Sequence, residues 1–210
     1  MSKYDTIWYK VYNYVASIPS KIIWRHRGLV TEKQKDELAK HLANGYYIIL
    51  TGSRGHLSSV IVSLLSLIKT GKWARYSHVL MNCDNITNPM DRQSFKFMEA
   101  TAAGVHYSTF DEVFNCDSVC LLTPSSVSNE EWTKIIDALL KQKGKKYDDL
   151  FDLSDSTRVS CVELVLDALK QADYAHDFID LDRLIKEKGN LVPQMYRESS
   201  DFVVDYESDQ

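Results

Sequence analysis

Residues 158–165 read Arg-Val-Ser-Cys-Val-Glu-Leu-Val, and this stretch places a thiol at the start of an amphipathic helix. The Ser160 side chain can accept from the backbone N–H of Glu163, while the Glu163 side chain reaches back to the backbone N–H of Ser160, which is a capping box. Apolar residues then recur at near-helical spacing to Leu169, so one helix face should pack on a sheet. The Cys161 thiol would face the unpaired amides and the positive end of the helix dipole.

Two interpretations of Cys161 follow from this position. Most unpaired cysteines are small buried hydrophobic residues. A thiol becomes a nucleophile when its surroundings favour the thiolate, and a helix N-terminus that faces an imidazole favours it twice. Such an imidazole is available in the apolar segment Tyr-Ser-His-Val at residues 76–79, where a strand could aim His78 at the helix start. The residues alone leave both interpretations open.

Three separated blocks strengthen the second interpretation. Residues 72–79 read Lys-Trp-Ala-Arg-Tyr-Ser-His-Val. Residues 97–100 read Phe-Met-Glu-Ala and precede Gly-Val at 104–105. Residues 144–151 read Gly-Lys-Lys-Tyr-Asp-Asp-Leu-Phe and precede Cys-Val-Glu-Leu-Val at 161–165. In content and order the blocks resemble the permuted branch of the NlpC-type papain-fold cysteine hydrolases, in which the histidine precedes the cysteine along the chain.

The resemblance spans about residues 45 to 170 and implies both a fold and a set of catalytic groups. The implied fold is α+β, a circularly permuted papain-like domain in which a small antiparallel sheet or half-barrel packs against helices. Cys161 would be the nucleophile, His78 the general base and then acid, and Glu99 the residue that orients the imidazole. No cofactor or metal is expected.

The resemblance also implies the walls of a substrate cleft. The backbone N–H of Cys161 would stabilise an oxyanion, and Tyr147 could donate a second hydrogen bond to it. Ser77 and Gly52 would flank the cleft. The chain departs from the family pattern at Leu80, Met81, Ser160 and Val162, which changes the groove walls, so a substrate preference does not follow from the resemblance.

The expected activity is hydrolysis of an amide in a peptide or a peptidoglycan-like stem, through a thioester acyl-enzyme. One alternative is acyl transfer or thioester hydrolysis on a lipid, because relatives with the same permuted order resemble lecithin:retinol acyltransferase. The expected substrate is therefore a peptide, a peptidoglycan fragment or an acyl lipid. A second alternative is a non-catalytic binding module that keeps the cleft without turnover.

Composition limits the other classes of function. The chain has 210 residues, of which 44% are hydrophobic and 26% charged, as expected for a compact globular domain. Its 25 basic and 29 acidic residues give a net charge of −4, so no positive field favours nucleic acid. The longest apolar stretch, residues 60–68, is far shorter than the roughly 20 residues that span a bilayer.

The cysteines and the N-terminus favour a cytoplasmic protein. No charged start, apolar stretch and cleavage site follow one another at the N-terminus, so no signal peptide is expected. Cys83, Cys116, Cys120 and Cys161 show no paired C-x-x-C arrangement, which predicts reduced thiols. Cys116, Cys120 and a histidine could alternatively bind zinc, although the second ligand pair of such sites is missing.

The chain divides into three predicted parts. Residues 1–44 form a helical accessory segment, and its first helix either packs on the main domain or docks through residues 1–27 on a membrane or partner. Residues 45–190 form the catalytic domain. Residues 191–210 form an acidic C-terminal tail, which is expected to fray because it is acidic from Glu198 onward without a basic residue.

Local patterns predict the elements of the domain. Strands are expected at residues 46–50, 77–81, 95–100, 105–107 and 118–122. Helices are expected at 4–18, from Thr31 to 44, at 57–68 and from Ser128 to 141. His106 should lie on a strand near Glu99, where it is interpreted as a solvated or hydrogen-bonded histidine.

Overall fold

A computed structural model of the chain describes residues 29–53, 67, 73–84, 86, 88–125, 127–148, 157–172, 178–188 and 192–208. The strands are β1 (Ile48–Gly52), β2 (His78–Asn82), β3 (Phe97–Thr101), β4 (Gly104–Ser108), β5 (Ser118–Pro124), β6 (Lys146–Tyr147), β7 (Arg158–Val159) and β8 (Phe202–Glu207). The helices are α1 (Glu32–Leu42), α2 (Phe110–Val113), α3 (Asn129–Leu140), α4 (Cys161–Gln171), α5 (Ile179–Lys188) and α6 (Pro193–Glu198), with a 3-10 turn at Arg92–Ser94.

Six of the strands form one antiparallel sheet in the order β4-β3-β2-β1-β5-β8. Strand β1 is one of the two central strands, and its Leu50 lies opposite Val79 on one side and Cys120 on the other. All five residues of β1 are buried, so the sheet is covered on both faces at its centre. The short parallel pair of β6 and β7 lies outside this sheet and leads into α4.

Alternation of side chains along the strands separates two hydrophobic cores, one on each face of the sheet. The first core joins Leu50, Val79 and Met98 to the apolar sides of α3 and α4. The second core joins Ile49 and Leu80 to α1 and to a set of phenylalanine rings. The closest ring pair in that set is Phe110 with Phe114, whose centroids are 4.6 Å apart. The protein is therefore an α+β fold with helices against both faces of an antiparallel sheet.

Helix α4 forms as its local sequence predicts. The backbone N–H of Ser160 donates to Glu163 Oε2 over 2.7 Å, and the backbone N–H of Glu163 donates to Ser160 Oγ over 3.4 Å. Cys161 is the first helical residue. The apolar side of α4 packs on β2, β3 and α3. The capping box and the buried face predicted for this helix are both confirmed.

The other predicted elements in the described residues are confirmed, with ends displaced by one to a few residues. Helix α1 starts after Thr31 and α3 after Ser128, where the sequence predicts them, and each start has a capping box. The five predicted strands correspond to β1 through β5. The predicted helices at 4–18 and 57–68 lie outside the described residues, apart from Leu67, which is helical.

The expectation of a frayed C-terminal tail is wrong. Residues 193–198 form α6, and residues 202–207 form β8, which pairs with β5 at the edge of the sheet. Phe202 is buried, and its ring stacks on Phe178 with centroids 5.7 Å apart. The acidic side chains have partners elsewhere in the chain: Glu207 pairs with Arg75 and Arg197. The distant cation Arg75, the strand pairing with β5 and apolar contacts thus order a segment whose acidic composition favours disorder.

No helix in the described part of the chain has the length and apolarity needed to cross a bilayer.

Candidate active site

His78 is the first residue of β2 and lies opposite Thr51, near the end of β1. Its side chain is 25% exposed, so the ring is mostly enclosed but still reachable from solvent. The preceding residue, Ser77, donates its backbone N–H to the Thr51 carbonyl over 3.0 Å. The sheet therefore holds the backbone on the N-terminal side of the imidazole.

Cys161 begins α4, directly after the cap residue Ser160, and is 5% exposed. The short strand β7 precedes it, and β7 is held by its parallel pairing with β6. The Cys161 thiol lies beside the His78 ring, close enough to interact with it. The sequence-predicted nucleophile and base are thus neighbours, although 83 positions separate them along the chain.

Glu99, in the middle of β3, contacts the other side of the imidazole. Its Oε2 atom lies 2.7 Å from His78 Nε2. Because Nε2 is engaged by this carboxylate, Nδ1 is the ring nitrogen left for the thiol. The predicted catalytic residues therefore form one chain of contacts, from Cys161 through His78 to Glu99.

These contacts raise the pKa of His78. Burial lowers it, because a charged ring is poorly solvated there, but the hydrogen bonds to Cys161 and Glu99 outweigh burial and raise the pKa to about 10. Burial raises the pKa of Glu99, yet its hydrogen bond and charge interaction with His78 bring that pKa below the ordinary value. At neutral pH the pair therefore consists of an imidazolium and a carboxylate, and the imidazolium is next to the thiol.

The remaining three cysteines have different surroundings. Burial is the main reason that the pKa values of Cys83, Cys116 and Cys120 rise to about 12. These thiols are protonated at neutral pH and belong to the hydrophobic cores. Cys116 lies in the second core and Cys120 in the first, on opposite faces of the sheet, so a zinc site shared by these two cysteines does not form.

The predicted cleft residues occupy three different positions. Ser77 adjoins His78 and is partly exposed. Tyr147 lies in β6, opposite Val159 and therefore close to the start of α4. The sequence predicts a strand that ends at residue 50, before Gly52, but β1 continues through Gly52. A Cβ atom at Gly52 would overlap the carbonyl oxygen of Arg75, so the residue allows close packing of two backbone segments.

Sequence reasoning missed two further residues at the site. Ser108, in β4, donates its hydroxyl to Glu99 Oε1. Tyr196, in α6, is fully buried and donates its hydroxyl to the carbonyl oxygen of Val162 over 2.8 Å. The hairpin of β3 and β4 could have indicated Ser108, because its register places His106 opposite Glu99 and Ser108 two residues further along. No local signal marks Tyr196.

Among the described residues, no group of three or more His, Cys, Asp or Glu side chains is arranged to hold a metal ion. The His78 imidazole and the Glu99 carboxylate contact each other directly at hydrogen-bond distance.

Comparisons with known proteins identify a similar fold. No family model matches the chain, and no curated protein matches it. The crystal structure of the metalloprotein YiiX from Escherichia coli O157:H7, described as DUF1105, superposes with a TM-score of 0.54. The match covers 77% of this chain and 96% of that chain, at 18% sequence identity. At this level of identity the likeness shows that the two proteins share a fold.

Proposed function

We propose that the protein is a cysteine hydrolase that cleaves an amide bond in a peptide or a peptidoglycan-like stem, through a thioester acyl-enzyme. The observation that supports this proposal most strongly is the position of His78, between the Cys161 thiol and the Glu99 carboxylate. A thiol beside an imidazolium and at a helix N-terminus is in the environment that favours a thiolate nucleophile.

The proposed fold is a circularly permuted papain-like domain. The supporting features are a helix that begins with the nucleophile and packs on an antiparallel sheet, and a histidine on a strand of that sheet. In this chain the histidine strand precedes the cysteine helix, which is the permuted order.

In the acylation step, the Cys161 sulfur attacks the carbonyl carbon of the amide and forms a carbon–sulfur bond. The negative charge passes to the carbonyl oxygen, which the backbone N–H of Cys161 can stabilise because the first amides of a helix have no intrahelical acceptor. The His78 imidazolium gives its proton to the leaving nitrogen as the carbon–nitrogen bond breaks. The products of this step are an amine and a thioester on Cys161.

In the deacylation step, neutral His78 takes a proton from water while the water oxygen attacks the thioester carbon. The carbon–sulfur bond breaks, a carboxylic acid leaves, and the thiolate–imidazolium pair is restored. Glu99 fixes the ring orientation and stabilises the imidazolium in both steps, as a carboxylate does in a catalytic triad.

The test is hydrolysis of a panel of short peptides and peptidoglycan stem fragments, followed by mass spectrometry of the products. Cys161→Ser and His78→Ala should abolish turnover, while Cys83→Ser, which changes a buried thiol in a hydrophobic core, should retain it. A trapped acyl adduct on Cys161 would support the thioester. Undiminished hydrolysis by Cys161→Ser would refute the assignment.

The alternative activity, acyl transfer or thioester hydrolysis on a lipid, would use the same three residues, Cys161, His78 and Glu99. The site therefore does not favour this alternative over amide cleavage. The feature that distinguished it in the sequence, residues 1–27, lies outside the described residues. Sedimentation of the full chain with liposomes, compared with a chain that starts at residue 28, tests that prediction.

A further inference from the structure

We infer that Ser108 is a positioning residue for the proposed reaction: its hydroxyl holds the Glu99 carboxylate in the orientation that supports the His78 imidazolium. This inference rests on the proposed function. It assigns a role to a residue that contacts neither the thiol nor the imidazole in any observed hydrogen bond.

The two oxygens of Glu99 have separate partners. Oε2 contacts His78 Nε2 at 2.7 Å, while Oε1 accepts from the Ser108 hydroxyl. The three residues lie on adjacent strands of the sheet, in the order β2, β3 and β4. The carboxylate is therefore held from both sides, and a flexible side chain with several rotatable bonds is restricted to one position.

His106 is the other side chain near Oε1, but it does not replace Ser108. Its Nε2 atom lies 3.8 Å from Glu99 Oε1, beyond hydrogen-bond distance. Its Nδ1 atom lies 3.0 Å from the carbonyl oxygen of Gly104, which can only accept, so Nδ1 carries a proton. In the neutral ring Nε2 then has no proton to donate. Ser108 is thus the side chain that donates a hydrogen bond to Oε1.

The Ser108 hydrogen bond also stabilises the ionised form of Glu99. It contributes to the lowered pKa of that carboxyl, together with the larger effect of His78, while burial opposes both. Ser108 itself is 5% exposed, so water has little access to replace a lost hydroxyl. Loss of the hydroxyl should leave Oε1 poorly solvated and free to rotate away, which weakens the contact at Oε2.

The test compares Ser108→Thr with Ser108→Val. These variants have nearly the same shape and differ by one hydroxyl, so any difference between them reports the hydrogen bond. Ser108→Ala is added as the smaller change. Ser118→Ala is the matched control, because Ser118 is also a buried strand serine but donates to the carbonyl of Arg75.

The first readout is the pKa of His78, from nuclear magnetic resonance of carbon-13-labelled histidine in the full chain. Ser108→Val and Ser108→Ala should lower this pKa by about one unit, the change expected when a hydrogen bond supporting an ion pair is lost. Ser108→Thr and Ser118→Ala should keep the wild-type value. A merely structural role would not separate Thr from Val in this titration.

The second readout is the pH dependence of kcat. In Ser108→Val the alkaline limb of this profile should move to lower pH, together with the pKa of His78, whereas in Ser108→Thr it should stay in place. An unchanged pKa in Ser108→Val, or the same decrease in Thr and Val, would overturn the role of Ser108. The titration does not depend on turnover, so it separates this inference from the proposed function, which fails instead if Cys161→Ser hydrolyses substrate normally.

Discussion

Replacement of Glu99 by glutamine should lower the pKa of His78, because glutamine keeps the size of the side chain but removes the negative charge. In the wild-type protein, Glu99 Oε2 contacts His78 Nε2 at 2.7 Å. That contact and the Cys161 thiol together overcome the effect of burial and raise the pKa of His78 to about 10. Glu99→Gln removes one of the two stabilising partners.

The size of the decrease follows from the energy of the contact. A hydrogen bond to a charged group contributes about 1.5–3 kcal/mol, and one pKa unit corresponds to about 1.4 kcal/mol. The pKa of His78 should therefore fall by about one to two units, to about 8 to 9. At pH 9 about nine-tenths of wild-type rings would carry the proton, against about half or fewer in the variant.

The sign of the effect determines where activity changes. The imidazolium must donate a proton to the leaving nitrogen, so activity is lost as pH rises through the pKa of His78. A lower pKa moves the alkaline limb of the pH–rate profile to lower pH. Stability follows the same direction: a raised folded-state pKa stabilises the fold fully below the unfolded value of about 6.5, and this stabilisation is lost as pH rises toward about 10.

The assay is a titration of carbon-13-labelled histidine, with the His78 signal assigned through His78→Gln, together with the pH dependence of hydrolysis. Glu130→Gln is a suitable control, because it makes the same chemical change at an exposed carboxylate in α3, where Glu130 pairs with Lys134. An unchanged His78 pKa in Glu99→Gln would show that the carboxylate does not stabilise the protonated imidazole, and the proposed mechanism would be wrong.

Four further outcomes are expected. At pH 7, iodoacetamide should modify Cys161 at least about tenfold faster than the other three cysteines. The pKa values of those three are about 12, so only about one thiol group in 10⁵ is a thiolate at this pH. Equal modification rates, measured by mass spectrometry, would contradict this prediction. Gly52→Ala should destabilise the protein in urea by about 3 kcal/mol, because its Cβ would overlap the Arg75 carbonyl oxygen, whereas Gly45→Ala has room. Phe202→Ala should cost about 3–5 kcal/mol in the same assay if β8 is part of the core, and a much smaller loss would argue that it is not. EDTA should leave hydrolysis unchanged, because the His78 imidazole and the Glu99 carboxylate contact each other directly in the proposed mechanism. Loss of activity that zinc restores would contradict that mechanism.

The start of α4 could be predicted from the sequence because its determinants are local. The Ser160 capping box involves groups three residues apart, and the apolar spacing that follows is sufficient to indicate a packed helix. The association of Cys161 with His78 and Glu99 came instead from resemblance to a family. Nothing in the local pattern gives the distance between a helix start and a strand that lie far apart along the chain.

The features that sequence reasoning missed depend on long-range contacts. Strand β8 pairs with β5, so that Cys120 lies opposite Glu207, although the acidic composition of the segment favours a solvated tail. Tyr196, in α6, donates a hydrogen bond to the carbonyl oxygen of Val162. The sequence around a buried tyrosine does not indicate which distant residue accepts its hydrogen bond. Ser108 was accessible in principle, because a hairpin register follows from its turn, but one serine in a strand has no distinctive pattern.

In the proposed reaction, elements that carry none of the three proposed catalytic groups would still determine the geometry, because nucleophilic attack tolerates little displacement of the thiol. The start of α4 is held by the Ser160 capping box, by the β7 strand that precedes it and by the hydroxyl of Tyr196 on the Val162 carbonyl. Helix α6, which carries Tyr196, is in turn tied to β8 by the ion pair of Arg197 with Glu207. The C-terminal segment thus helps to position the start of α4, and with it the Cys161 thiol, through contacts that no local sequence pattern indicates.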